Sequence, residues 1–233
     1  MRIVLSRSTP DDHYASWLKR LYPHIELAEA YSAGTGSLDN VLQQCSGILL
    51  TGGADVNPAR YGKAEEAPRC QGVDEKRDQV ELGLVEIALE RKLPLLAICR
   101  GIQIINVFFN GSLIIDIAED YGIIVEHKNQ TDVCHSITLA KNSNLYHCGK
   151  TDKTIVNSSH HQAIGALGKD LTPVARSDDN LIEAVELIPR CSHPFFLGVQ
   201  WHPERMEFRH PMSEGIGRSF ILSAMQYDTT SPH

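Results

Sequence analysis

The sequence predicts an α/β fold: a mostly parallel sheet with helices on both faces, extended in its second half by antiparallel strands. Three observations lead there. Short apolar runs alternate with amphipathic helical stretches through the first half of the chain. Two of those runs stop abruptly at Gly52-Gly53 and at Cys99, the strand ends where an open parallel sheet keeps its chemistry. The second half then breaks into successive short strand-like runs separated by Asn, Ser, Gly and Asp.

Taken in order, Arg2–Ser6 reads as a strand, and Tyr14–Tyr22 carries apolar residues at helical spacing. Gly47–Thr51 is an apolar run stopped by a glycine pair, as expected of a buried strand entering a tight turn. Asp78–Lys92 places Val80, Leu84 and Ala88 on one helical face, with Lys92 at the end where the helix dipole favours a cation. Pro94 opens a strand over Leu95–Ile98, and Gly101–Asn110 comes next as a helix closed by Gly111. His135–Leu139, Thr154–Asn157, Leu171–Arg176, Leu181–Leu187 and Phe196–Gln200 form the strand series, and Ser213–Gln226 is the closing helix. The 233 residues suit one domain over 1–227, with 228–233 read as a disordered tail.

A net charge of -7 without a Lys/Arg cluster argues against a nucleic-acid partner, which needs a concentrated basic surface. No apolar stretch approaches bilayer length, and the run at residues 1–6 is too short for a signal sequence. The six cysteines lack paired spacing and read as reduced thiols of a cytoplasmic protein.

Cys99 is the candidate nucleophile. A thiol at a sharp strand-to-helix turn is exposed and faces backbone N–H groups, which favour a thiolate. Ala97 and Gly101 are small enough to let the chain turn there. Cys45, Cys134, Cys148 and Cys191 have no such setting and read as buried structural cysteines. His202 and Glu204 supply a base and a carboxylate to orient it; two apart in an extended segment, they point the same way. The backbone N–H groups of the Thr51–Asp55 turn, paired with that of Arg100, could hold a developing oxyanion. Asn157–Gln162 contains two adjacent histidines, but its spacing matches no closed zinc set. It reads as a substrate-recognition loop, and no metal is expected.

These segments run in the order of a known family. Leu49–Pro58 with Tyr61-Gly62, Lys76-Arg77-Asp78, Ile98–Val107, Val156–Ile164, Glu183–Glu186 and Gly198–Glu204 together resemble the class I glutamine amidotransferase superfamily. Within it they resemble the gamma-glutamyl hydrolase branch, and most of all the gamma-glutamyl-gamma-aminobutyrate hydrolases; Asn57-Pro58 with Tyr61 marks that branch. The family often has glycine where Ala97 stands. The resemblance implies a flavodoxin-like, doubly wound core with Cys99, His202 and Glu204 as a triad and Gly53 and Arg100 as the oxyanion hole. It implies that Gly52, Gln103, Asn157, Ser158, Ser159 and His160 hold the substrate's glutamyl head group. The implied reaction is hydrolysis of a small gamma-glutamyl amide through a thioester, without metal or organic cofactor. The implied partner is that small molecule, and a homodimer is the assembly the reading allows. Two other readings stand beside it: a glutaminase handing ammonia to a partner synthetase, and a catalytically retired binding protein.

Overall fold

In the central strands successive side chains point to opposite faces, and both faces are dry. The computed structural model describes residues 1–8, 13–122, 124–189 and 193–230. Strand β1 (Arg2–Leu5) is followed by helix α1 (His13–Leu21), β2 (Glu26–Glu29), the short α2 (Leu38–Val41) and β3 (Cys45–Leu50). Then come α3 (Glu75–Arg91), β4 (Leu95–Ile98) and α4 (Arg100–Phe108). Val4, Ile48, Leu50, Leu95 and Ala97 pack to one side with residues of α3 and α4. Ile3, Leu5, Leu49, Leu96 and Ile98 pack to the other with α1 and the C-terminal α7 (Ile216–Thr230). Burial on both faces is why these strands read as continuous apolar runs.

The second half adds β5 (Leu113–Ile114), α5 (Ile117–Asp120), β6 (Val133–Leu139), α6 (Asn144–Gly149), β7 (Lys153–Ser158), β8 (Ala163–Ile164), β9 (Leu171–Ser177), β10 (Ile182–Leu187) and β11 (Phe196–Val199). The main sheet runs β2-β1-β3-β4-β11-β10-β9-β6-β7. Neighbours are parallel from β2 to β11 and antiparallel from β11 to β7. This is the expected doubly wound sheet with an antiparallel extension. Parallel pairing sets Ile98 opposite Val199, so the segments leaving β4 and β11 emerge at one edge.

Several boundaries differ from the sequence reading, each for a local reason. Strand β2 is a half-covered edge without an apolar run, so periodicity does not reveal it. Helix α3 starts at Glu75 rather than Asp78, because the Asp74 carboxylate caps it by accepting from Arg77 N at 3.0 Å. Helix α4 ends two residues before Asn110, and it is Asn110 (φ 62°), not Gly111, that takes the left-handed conformation. Helix α7 continues through Thr230, so residues 228–230 are helical rather than a tail; 231–233 lie outside the described residues. No helix among the described residues is long and apolar enough to cross a membrane.

Close approach of α4 to the sheet depends on Gly101. A Cβ there would lie 2.8 Å from Leu50 O and 2.9 Å from Leu50 Cβ, and backbone cannot yield as a side-chain tip can. Overpacking of this kind costs about 1–3 kcal/mol. Gly101→Ala should therefore lower the melting temperature by about 2–12 °C, measurable by calorimetry, given about 2–4 °C per kcal/mol at this chain length. An unchanged melting temperature would show that α4 can slide.

Candidate active site

Cys99 lies between β4 and α4 with φ 53° and ψ −104°, a backbone state that a side-chain-bearing residue rarely adopts. Such strain costs about 1–3 kcal/mol and persists only where surrounding structure enforces it. Here the Cys99 amide donates to Val199 O at 2.8 Å, and Gly101 lets α4 close on Leu50. The chain leaving β11 brings His202 to the same edge. His202 Nδ1 donates to Glu204 Oε1 at 2.7 Å. The contact does not come from an extended segment, as expected from the two-residue spacing. Pro203–Arg205 is a 3₁₀ turn that folds Glu204 back onto the ring. Burial opposes a charge on His202, but attraction and hydrogen bonding from Cys99, together with Glu204, outweigh it and raise the imidazole to about 9.

The turn after β3 forms the opposite wall. A side chain on Gly52 would lie 2.8 Å from the Tyr14 hydroxyl, 2.9 Å from His202 Cε1 and 3.4 Å from Cys99 Cβ. Both backbone groups of Gly52 are engaged: its amide donates to Tyr14 Oη at 2.8 Å, and its carbonyl accepts from Arg77 Nη2 at 2.8 Å. Gly52 is therefore a spacer between sulfur and imidazole rather than a substrate-binding residue. Gly53 stays bare for Arg77, since a Cβ would meet Nη1 at 2.0 Å.

Beneath both turns lie four buried charges. Arg77 donates from Nε to Glu81 Oε1 at 2.8 Å, and from Nη2 to Thr51 O at 3.0 Å and to Gly52 O. Arg100 pairs with Asp78 and with the second oxygen of Glu81. Ser6, at the end of β1, donates to Glu81 Oε1 at 2.8 Å. The sequence reading assigns Arg77 and Asp78 no role and passes over Glu81. The available signal is the Arg77–Glu81 spacing of one helical turn, which elsewhere marks a solvated pair.

A cavity of about 220 Å³ opens in front of the thiol. It is smaller than the roughly 300–1,000 Å³ of pockets for drug-sized ligands. Gly53, Cys99, Gln103, Ser159 and His160 line it, in keeping with the sequence reading. His161, within the expected recognition loop, lines it too, as do Asp55 and Lys128, which the sequence reading misses. His161 Nε2 meets Asp55 Oδ1 at 2.9 Å and its Nδ1 meets Asp116 Oδ2 at 3.3 Å; the Asp55 hydrogen bond raises its pKa above the ordinary value. Asn157 and Ser158 do not line the cavity, contrary to expectation. Asn157 brackets the base instead, accepting from His202 N at 3.1 Å and donating to His202 O at 3.0 Å. Ser158 is fully buried and donates to His127 O at 2.6 Å. Arg100 contributes its side chain to the ion network, while its backbone begins the helix beside Cys99.

Of the other thiols, Cys45 is buried as expected, and burial pushes it up to about 11. Cys148 is half-buried, whereas Cys134 is exposed, contrary to expectation, because its position on β6 faces outward. Cys191 lies outside the described residues.

The family model of Peptidase C26 matches residues 30–204. A Lactococcus lactis protein described as glutamine amidotransferase-like is 38% identical over 173 residues, covering 73% of this chain and 70% of that one. Gamma-glutamyl-gamma-aminobutyrate hydrolase of Escherichia coli is 32% identical over 200 residues, covering 82% of this chain and 76% of that one. Among solved structures, the glutaminase domain of Trypanosoma brucei CTPS with bound acivicin superposes with a TM-score of 0.67 at 15% identity, over 97% and 94% of the two chains. That last likeness concerns the fold.

Removing one member of the buried network should expose its cost. Arg77→Met leaves the buried Glu81 paired only with Arg100, which Asp78 also uses, and breaking a buried pair costs about 3–5 kcal/mol. Urea denaturation should show a midpoint lowered accordingly; a midpoint unchanged from the parent would mean that water already screens the network.

Proposed function

The chain belongs to the Peptidase C26 family of class I glutamine amidotransferase-like hydrolases. On that footing, we propose that it hydrolyses the gamma-glutamyl amide bond of a small compound such as gamma-glutamyl-gamma-aminobutyrate, releasing glutamate and an amine. The observation that carries the reading is the placement of His202 between Cys99 and Glu204, which together hold its imidazole above the ordinary pKa.

An imidazolium favours a thiolate beside it. The Cys99 sulfur attacks the amide carbonyl carbon, and the resulting oxyanion faces the N–H groups of Gly53 and Arg100. As the carbon–nitrogen bond breaks, His202 gives its proton to the departing amine, leaving a glutamyl thioester on Cys99. Water then donates a proton to the neutral ring and attacks the thioester, and the sulfur leaves as thiolate. Glu204 holds the ring in one orientation and stabilises its charge throughout. The small polar cavity suits a head group of amino-acid size, with Gln103, Ser159 and His160 on its walls.

Cys99→Ala should lower glutamate release by about 10³-fold or more while leaving ligand binding near normal, because the other groups cannot replace the covalent route. The substrate class is read by assaying the chain alone on gamma-glutamyl-gamma-aminobutyrate, related gamma-glutamyl amides and free glutamine. Turnover of glutamine only, and only with a synthetase present, would overturn the proposal in favour of an ammonia-supplying glutaminase.

The pH dependence derives from His202, whose pKa rises from 6.5 to about 9 on folding. Its contribution to stability is fully present below the unfolded value and is lost as pH rises through about 9. Activity should fall over the same alkaline range as the ring loses the proton it must deliver. Glu204→Gln should shift that limb of the kcat/KM profile to lower pH; a limb that stays in place would assign it to another group.

A further inference from the structure

A second cluster, away from the thiol, lies behind the loop that forms the cavity wall. Three imidazoles converge on one carboxylate oxygen. His127 Nδ1 is 3.6 Å, His135 Nε2 3.2 Å and His160 Nε2 3.6 Å from Glu183 Oε1. All four residues are buried. They come from four places: the segment before β6, β6 itself, the loop between β7 and β8, and β10. None of the three converging nitrogens, and neither oxygen of Glu183, makes a hydrogen bond of acceptable geometry. Leaving so many buried polar atoms unmatched is costly, and each such group calls for a physical account.

The outward-facing nitrogens of His127 and His160 are held. His127 Nε2 meets Asp179 Oδ2 at 2.9 Å, and Asp179 in turn accepts from the Ser177 hydroxyl. His160 Nδ1 donates to Gln162 O at 2.9 Å. A carboxylate behind one histidine and a carbonyl behind another are the partners that orient metal-ligating imidazoles. The spacing suits three of the four: bonds of about 2.05 Å at tetrahedral angles give donor–donor edges of about 3.3 Å, close to the 3.6 Å that separates His127 Nδ1 and His160 Nε2 from Glu183 Oε1. The donor atoms of His127, His160 and Glu183 all lie within 4.8 Å of one another.

We propose that His127, His160 and Glu183 bind one divalent first-row transition cation, with zinc a good match to two nitrogens and one oxygen, while His135 packs beside the same carboxylate. A proton could pair one imidazole with Glu183, but it would leave other inward nitrogens unmatched; a cation meets those of both His127 and His160. Three protein ligands leave a fourth position for water, and the ion braces the fold. It ties β10 and the segment before β6 to the loop whose Ser159 and His160 line the substrate cavity. A neighbouring cavity of about 240 Å³, lined by His127 and His160, gives the ion a route in. The expectation of no metal weighs only the adjacent pair His160-His161. His161 turns the other way, to Asp55 and Asp116, and the partners of His160 lie on distant strands.

The test uses full-length protein purified without chelator or polyhistidine tag. Elemental analysis should find about one zinc per chain in the parent and in Cys99→Ala, and far less in His127→Ala and Glu183→Gln. Because those substitutions could unfold the protein, the parent is also stripped with chelator and reloaded. Stripping should lower the melting temperature by about 10 °C relative to zinc a thousandfold above its dissociation constant, and readdition should restore it. Reloading with Co²⁺ should give the visible absorption of a four-coordinate site. Parent protein that is metal-free as purified, and neither gains thermal stability nor takes up Zn²⁺ or Co²⁺ on dialysis, overturns the proposal. None of these readouts needs turnover, so they stand or fall apart from the hydrolase reading.

Discussion

The site rests on four buried charges. Arg77, Arg100, Asp78 and Glu81 balance two against two, which is what allows them to be buried at all; one unpaired member would cost several kcal/mol. Their value lies in what else they hold. Arg77 fastens the turn that ends β3, Arg100 starts the helix beside the thiol, and Ser6 adds the end of β1 through Glu81. Three strand ends are thereby locked to one helix, α3, and the two walls of the candidate oxyanion hole cannot move independently.

Strain at Cys99 becomes tolerable in that frame. Its left-handed backbone lifts the thiol out of the sheet edge, and the dense packing of Gly101 on Leu50 prevents relaxation. Across the gap, Asn157 grips His202 by both backbone groups while Glu204 grips the ring. Gly52 keeps the space between them clear. Each contact is ordinary in strength, but together they place sulfur, imidazole and carboxylate without any flexible link.

The neighbouring histidines of the β7–β8 loop show how one short segment serves two neighbourhoods. Successive side chains point apart, so His160 enters the Glu183 cluster while His161 reaches Asp55 and Asp116 on the cavity side. The loop is thereby anchored from two directions, and the residues between Asn157 and Gln162 become a firm wall rather than a mobile lid. Ser158 adds a third anchor through the His127 carbonyl.

The doubly wound core is legible in the chain because burial of both sheet faces writes itself as apolar runs; Leu95–Ile98 can be read with its observed bounds. The elbow is legible too, since a thiol between a buried strand and a helix is a local pattern, as is the short spacing of His202 and Glu204. What the chain could not reveal is which polar groups meet across the fold. Gly52 and Asn157 look like substrate contacts and prove to shape the surroundings of His202. Arg77, Asp78 and Glu81 receive no role from the sequence and prove to be buried foundations. Glu183 and its three histidines come from four separate segments, and no spacing links them. Periodicity reports whether a residue turns toward the core; only the packing of distant segments decides which partner it finds there.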